Sequence, residues 1–390
     1  MIREISLAVV GAGPAGCTAA ETAALSGTNV LLIDKKQAIG TPVQCGGFLP
    51  AAKELQYMMP RAILPITLED IPGHCIRHHT SLQRFYAPSG RNKEFHVAAR
   101  ILDRCAFDRN LAYRAAKAGA TILPATRAKL IEDHLKLSGR FSGSVRPKIL
   151  VGADGSLSSI AKSIGANTKE VGICLEYEMV DVNIDHEAAE MYFGTKWAPG
   201  GYAWIIPLGH DAANVGVGIR ASFAEKNKLP KLLDDFIINH PVASEKLRKG
   251  EILGVMRGLV PTGGAPKEIQ QGKLLLAGDA AGHVMATSGG GIPLAMVAGR
   301  IAGEVASWFL KGECPIEEYS YRIREEFGHE LEQSVQIRRL VDVVMRSNKL
   351  IEALISILSP AQIKSMMRAQ IPKELKLFHE RLIKDRPGHH

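Results

Sequence analysis

The sequence predicts an α/β fold built around a parallel sheet, and three observations carry that reading. The apolar run Ile5 to Val10 is too short for a membrane span and reads as a buried strand. It leads directly into Gly11-Ala12-Gly13-Pro14-Ala15-Gly16, with glycines at GxGxxG spacing. An Ala-rich helix (Ala19 to Ala24), a stop at Gly27 and a second apolar strand, Val30 to Ile33, then complete a βαβ unit. In such a unit Gly11 permits the tight turn, Gly13 lets the backbone approach a pyrophosphate, and Gly16 lets the helix pack closely on the strand. The helix start around Ala15 presents free N–H groups and a positive dipole end to phosphates. Asp34 lies 18 residues after Gly16 and is followed by Lys35; its carboxylate is placed to accept hydrogen bonds from an adenosine ribose. A glycine turn alone says little, but in this context it marks a Rossmann-like dinucleotide site.

Composition fits an enzyme rather than a binding module. The chain has 390 residues, 46% hydrophobic and 23% charged, enough to bury a large core. Its six cysteines show no CxxC pair and no metal-ligand spacing, so free thiols in a reducing compartment are expected. His78-His79 lacks a third ligand at usable spacing, and no metal site is expected. No signal peptide is read at the N-terminus, and no run approaches the roughly 18 apolar residues of a membrane span. A cytoplasmic location is therefore expected, with peripheral contact to the inner membrane face left open by the C-terminal region. Of a net charge of +8, residues 331–390 contribute eleven Lys/Arg against six Asp/Glu. Leu340, Val343, Val344, Leu350, Ile351, Leu354, Ile355 and Leu358 recur there at helical spacing, flanked by Lys349, Lys364, Arg368, Lys373 and Lys376. Two readings stand side by side: a helical cap that packs its stripe on the body, or a surface that leans on anionic lipid headgroups. No nucleic-acid module is present, and the terminal His389-His390 carries no argument.

The remaining elements follow in order. Ile39 to Gly47 is too glycine-rich for regular structure. A strand or hairpin is expected around Leu82 to Tyr86, with Pro88-Ser89-Gly90 as a turn. Arg104 to Ala118 reads as a helix with Phe107, Leu111 and Ala115 on one face. Ile149 to Val151 is a buried strand ending in the polar turn Gly152-Ala153-Asp154-Gly155. Residues 171–219 read as antiparallel strands that roof a cavity. Lys273 to Ala277 returns to the nucleotide unit, followed by Gly278-Asp279 and a helix from Ile292 to Leu310. The nucleotide-binding domain is thus expected to be discontinuous, over 1–75, 98–165 and 270–312. Residues 76–97 and 166–269 form the inserted substrate sheet, and 313–390 a helical C-terminal region.

The segment Gly278-Asp279-Ala280-Ala281 after its strand resembles the second FAD fingerprint of glutathione-reductase-like flavoproteins. Ala153-Asp154-Gly155 resembles the intermediate motif of the hydroxybenzoate-hydroxylase branch of that superfamily. Together these resemblances imply FAD in a Rossmann-like domain of that type, with Asp154 and Asp279 among its contacts and Asp279 at the ribityl or pyrophosphate region. The plainer reading of Asp279 is a helix N-cap. Within the superfamily the chain resembles the geranylgeranyl reductase family along its whole length. Phe193-Gly194 and Ala198 to Pro207 are similar to that family's Y-x-W-x-F-P pattern, with Ile206 in place of Phe. The resemblance implies that Tyr202, Trp204 and Pro207 line an isoprenoid pocket. The two aromatics alternate onto one face of a strand, as an apolar wall requires, although two core aromatics would look the same.

The Cys45-Gly46-Gly47 loop corresponds to C-G-E-G preceded by Arg in archaeal lipid-reducing members and to C-G-G in chlorophyll-pathway members. With Gln44 and Gly47, this chain follows the second pattern, and Gly282 to Ile292 also resembles the chlorophyll-type version. By resemblance, Cys45, Gly46, Gly47, Gly290, Gly291 and Ile292 lie against the flavin, the later loop turning backbone N–H groups to its pyrimidine end. Arg104, in Arg104-Cys105-Ala106-Phe107-Asp108, matches the family's R-x-x-F-D and is implied near the FAD phosphates or ribose.

The family chemistry is saturation of an isolated trisubstituted alkene, which needs a hydride from reduced flavin and a proton on the other carbon. No catalytic dyad stands out. Cys45 is the candidate catalytic residue, against a plainer reading as a small buried hydrophobe; His283 is either a proton donor or a structural histidine. The implied activity is an FAD-dependent reductase of geranylgeranyl chains, first on archaeal-type ether phospholipid precursors, alternatively on chlorophyll-type or prenylquinone substrates. A flavin-dependent aromatic monooxygenase or halogenase of the same fold, and an electron carrier without its own substrate, are the other readings. The single complete fingerprint goes to FAD, so an external donor is expected: ferredoxin, the reduced deazaflavin F420H2 or NAD(P)H.

Overall fold

The computed structural model describes residues 2–166, 170–224, 228–375 and Leu377. Lys376, His389 and His390 lie outside the described residues. Among the described residues two eight-stranded sheets organise the chain. In the first, Gln270–Gln271, Leu274–Leu276, Gly143–Gly152, Ile2–Val10, Val30–Ile33 and Thr121–Leu123 lie side by side, with the hairpin Thr126–Ile131/His134–Gly139 attached to Gly143–Gly152. Its inner strands are parallel and apolar, as a sheet covered on both faces requires. Their registers pair Val10 with Ile33, Val10 with Gly152, and Gly152 with Leu276. Four strands therefore end at one edge, and the turns that follow them meet there.

Helix Pro14–Leu25 is held on this sheet by helix Ile292–Lys311. A Cβ on Gly299 would fall on the Ala15 carbonyl, and one on Gly303 would lie 2.6 Å from the Ala19 carbonyl. Glycines four apart thus let the two helix backbones touch, and Ala15, Ala19, Ala23, Ala298, Ala302 and Ala306 are all buried.

The second sheet runs Glu251–Pro261, Val171–Val180, Ala212–Arg220, Tyr202–Pro207, Ala188–Tyr192, Ile76–Tyr86, Asn92–Leu102 and Phe48–Pro50. The expected strand near Leu82 is the end of an eleven-residue strand in a long hairpin. Ala188–Tyr192 pairs parallel with Leu82 to Tyr86, so the insertion is not wholly antiparallel as the sequence suggested. The sheet also takes in Phe48–Pro50, from within 1–75, and all of Asn92–Leu102, which crosses position 98. One face, including Leu175, Tyr177, Ala203, Ile205, Val215 and Val217, packs on Leu232, Leu233 and Phe236 of helix Leu229–Asn239.

The other face turns toward helices His329–Val344, Asn348–Ile357 and Pro360–Met367. Ile351, Leu354, Leu358 and Ile363 are buried with Phe85, Phe95 and Val97, so the apolar stripe seen in the sequence points inward. Two of its flanking cations, Lys364 and Arg368, pair with Glu54 at 3.0 and 2.6 Å. Among the described residues no single helix is long and apolar enough to cross a membrane; Asn348–Ile357 and Pro360–Met367 qualify only together, and they bend by 108°. All six cysteines are free thiols.

Gly303→Leu forces a side chain into the backbone contact between the two long helices. Urea unfolding should show a loss of about 1–3 kcal/mol or more; unchanged stability would mean that the helices separate without cost.

Candidate functional site

The strand edge is built from turns that lock one another. Gly11 has φ +105°, and a side chain there would run into the Ala153 carbonyl; one on Gly16 would strike the Gly11 carbonyl. Gly13 differs, since a Cβ there would meet nothing within 4 Å. It faces open space before helix Pro14–Leu25, whose first turn has neither a side-chain cap nor an acidic residue. Bare N–H groups beside an unobstructed glycine suit a pyrophosphate. Asp34 is buried and accepts from Ala12 N–H (2.6 Å) and Lys36 N–H (2.7 Å), which clamps the turn while leaving further lone pairs. Lys35 is exposed.

Two aspartates at this edge serve different ends. The Asp154 carboxylate accepts from the Ser158 hydroxyl, Ser159 N–H (2.7 Å) and Ser159 Oγ (3.1 Å), so it organises the start of helix Ser159–Ser163. The local helix start thus engages this side chain, while Ala153 and the Asp154 backbone abut the glycine turn. Asp279 behaves in the opposite way. No side chain caps the short Gly278–Ala281 turn, so the N-cap reading does not apply; among the described residues the carboxylate accepts only from Ser156 Oγ (2.9 Å). Burial raises its pKa, offset in part by Ser156 and by the charge of Arg104. Gly278, at φ +66°, sits against Ala15. Arg104 makes a two-pronged pair with Asp108 (3.0 Å each). Burial works against its charge, but Asp108 and the Cys45 sulfur outweigh that and keep the guanidinium protonated.

Beside this edge a cavity of about 400 Å³ separates the second sheet from the C-terminal helices. The period of two selects its wall: Cys174 and Glu176, then Tyr202, Trp204 and Ile206, then Gly218 and Arg220. Ile337, Val341, Val344, Ile351, Leu354 and Ile363 close the opposite side. Its edge-side end is bordered by Cys45, Gly46 and Gly47 and by Gly290, Gly291 and Ile292, so the two glycine loops and the aromatic strand meet at one space. Pro207 is not among the residues that border this cavity. With Ala203 and Ile205 it has the parity of the core face, opposite Ala213, and Ile206 takes the cavity position.

Tyr202 donates to the Ser288 carbonyl (2.5 Å), and Trp204 Nε1 donates to Asn214 Oδ1 (2.7 Å). The indole lies over Gly216, where a side chain would overlap the ring. Gly46 is pressed onto the same sheet, its would-be Cβ 3.0 Å from Asn214 Oδ1 and from Ile206 Cδ1. Cys45 is half-buried and accepts weakly from Gly47 N–H at 3.4 Å. His283 is not a cavity residue. It is fully buried, edge-on to Phe327 at 5.2 Å, and both ring nitrogens lack a partner among the described residues. Burial alone lowers its pKa to about 3, so it stays a neutral imidazole. Sequence reasoning did not single out Cys174, Glu176 and Asn214. Their signal was parity: Cys174 and Glu176 alternate with Leu175 and Tyr177 and pair with Gly218 and Gly216.

This arrangement defines a dinucleotide-binding oxidoreductase with a roofed apolar substrate cavity. A family model described as NAD(P)-binding Rossmann-like domain matches residues 9–47, and one described as geranylgeranyl reductase catalytic domain matches 170–260. Digeranylgeranylglycerophospholipid reductase of Methanocella arvoryzae is 32% identical over the full length of both chains. The protein of that name from Methanocaldococcus jannaschii is 34% identical, covering 96% of this chain and 97% of its own. Among solved structures, a geranylgeranyl bacteriochlorophyll reductase-like protein from Thermoplasma acidophilum superposes with TM-score 0.85 at 27% identity, over 98% of this chain and 100% of its own. A flavin-dependent brominase shares the fold, with TM-score 0.71 at 15% identity over 98% of each chain. The chain belongs to the geranylgeranyl reductase family.

His283 carries a pH prediction. Its folded pKa of about 3 lies below the ordinary 6.5, so its contribution to stability is complete above 6.5 and drains as pH falls toward 3. The slope is about 1.4 kcal/mol per pH unit, and His283→Leu should remove it in urea titrations between about pH 6 and pH 4. An unchanged acid limb would reject this origin.

Proposed function

We propose that the protein is an FAD-dependent reductase that saturates the C=C bonds of geranylgeranyl chains, acting on archaeal-type ether phospholipid precursors. The observation that carries the reading is the cavity itself: a long apolar space, walled by Tyr202 and Trp204, that opens at one end onto the glycine loops of the dinucleotide edge. When bound, the flavin supplies the hydride; the chain supplies position, a dry site and the polar groups around the alkene. Gly11, Gly13, Ala15, Gly16 and Asp34 would hold the adenosine and pyrophosphate part, with Arg104 and Asp279 toward the ribityl. Cys45, Gly46, Gly47, Gly290, Gly291 and Ile292 would border the ring. The division into a discontinuous FAD domain, an inserted substrate sheet and a helical C-terminal region belongs to the same proposal.

The relatives quoted above carry digeranylgeranylglycerophospholipid names over nearly the full chain, which favours a glycerophospholipid carrier even though the two glycine loops resemble the chlorophyll-type pattern. Halogenases share the fold at identities too low to speak for their chemistry. The reductant is an external donor of the ferredoxin, F420H2 or NAD(P)H class, and the lipid is reached by peripheral contact with a membrane surface.

The test is mass spectrometry of a geranylgeranyl ether phospholipid incubated anaerobically with dithionite-reduced, FAD-loaded protein. Gain of one H2 per double bond is expected; no gain, with hydroxylation or halogenation of an aromatic compound in air, would move the protein to the oxygen-using enzymes. Trp204→Ala removes the aromatic wall and should lower kcat/KM on the lipid by about tenfold or more, some 1.4 kcal/mol, with FAD retained. Loss of flavin with the lipid kinetics intact on reconstitution would contradict that role. Asp279→Ala should purify with less FAD than wild type, and a fully loaded variant would remove Asp279 from the cofactor contacts.

A further inference from the structure

Three acids border the largely apolar cavity: Glu54 and Glu190 are paired with cations, whereas Glu176 is in no ion pair among the described residues. The residue is only 2% exposed. Its Oε2 is buried with no hydrogen-bond partner among the described residues, although the residue lines the cavity. The carboxyl takes one side-chain hydrogen bond, from Asn214. That amide cannot turn away, because its Oδ1 accepts the Trp204 indole N–H at 2.7 Å. No cation is hydrogen-bonded to Glu176, and the guanidinium of Arg104 is engaged by Asp108. A buried carboxyl without a partner cation is held in its neutral form. Burial accordingly raises the Glu176 pKa, against smaller opposing effects of Asn214 and Arg104.

We propose that Glu176 is the proton donor of the reaction, delivering its carboxylic proton to the alkene carbon that does not receive the hydride. The proposal rests on the reductase function argued above and names the acid that function needs. The π bond breaks, and its electron pair forms a C–H bond with the Glu176 proton at the less substituted carbon. Positive charge develops at the tertiary carbon, facing the rings of Tyr202 and Trp204. That carbon accepts the hydride, two electrons and one proton, which a reduced flavin supplies as the reductant. A saturated C–C bond, oxidised flavin and a Glu176 carboxylate remain, and one solvent proton restores the acid after product leaves.

A glutamine at 176 would hold Asn214 equally well, so only the transferable proton distinguishes the acid. The rate should fall as pH rises through the raised Glu176 pKa. The charged and titratable groups that act on it are Cys174 on its own strand, Tyr202 of the neighbouring wall and Arg104 of helix Arg104–Lys117, with Cys45 one step further off beside Cys174 and Tyr202. Cys174 is pushed up to about 12 by burial and by the nearby Glu176 and Cys45, and Tyr202 is raised as well.

The experiment compares wild-type holoenzyme with Glu176→Gln and Glu176→Asp on the same lipid, and follows substrate-free holoenzyme by infrared difference spectroscopy across pH. Glu176→Gln should keep its flavin and thermal midpoint and lose about a hundredfold or more in rate, together with the high-pH limb. A protonated-carboxyl signal that titrates above the usual carboxylate range should be present in wild type and missing from Glu176→Gln. Glu176→Asp should retain a limb at a shifted pH, and it decides the matter if the glutamine variant does not fold. A glutamine variant that matches the wild-type rate, an unshifted limb in the aspartate variant, or identical infrared titrations would overturn the assignment. Wild-type enzyme that leaves the lipid unreduced would instead overturn the reductase function and the donor role with it.

Discussion

The structure depends on one constraint above others: the parallel register that ends Val10, Ile33, Gly152 and Leu276 level with one another. Backbone hydrogen bonding between strands distant in sequence fixes that level. The turns after each strand are consequently brought together, where they lock onto one another: Gly11, Asp34, Ala153 and Gly278. Their small residues then become obligatory. A side chain on Gly11 or Gly16 would collide with backbone that the register has already placed. The helix that follows stays seated because Gly299 and Gly303 let a second helix approach its backbone.

The second sheet solves a different problem, which is to be core on one face and cavity on the other. The alternation of side chains does this without a change of secondary structure. Leu175 and Tyr177 face the packed helix, while Cys174 and Glu176, one residue out of step, face the cavity. Gly216 makes room for the Trp204 ring, and the small Gly218 borders the space. The C-terminal helices close this face with the stripe Ile351, Leu354, Leu358 and Ile363, which in isolation resembles a membrane-binding surface. Inward burial against Phe85 and Phe95 accounts for that stripe by packing alone.

Local signals were the legible ones. The first βαβ unit, the Arg104–Lys117 helix and the Ile292–Lys311 helix could be read because each rests on short-range periodicity and glycine punctuation. The parallel pairing of Ala188–Tyr192 with Leu82 to Tyr86 could not, since it joins segments about a hundred residues apart and leaves no local trace. Motif membership does not give facing: strand parity sets Pro207 on the side of Ala213, and Ile206 takes the cavity position. An Asp-Gly turn likewise looks alike in sequence whether its carboxylate starts a helix, as Asp154 does, or meets a ligand.

Hydrogen-bond satisfaction separates the acids that composition cannot. Asp154 has its acceptor sites filled by the start of the next helix, and Asp34 clamps a glycine turn with both oxygens. Asp279 and Glu176 are incompletely satisfied: one accepts a single serine hydroxyl, and the other has an oxygen with no partner among the described residues. Leaving a buried acceptor unmatched costs about 1–3 kcal/mol, which folding alone has no reason to retain. The two under-satisfied carboxyls stand at the two places where chemistry is expected, one at the dinucleotide edge and one in the substrate wall. His283 is one of several buried, unpartnered groups among the described residues that limit the argument. It too is buried and unpartnered, but it packs against Phe327 away from the cavity, so an unsatisfied group points to function only where it also borders space that a ligand can reach.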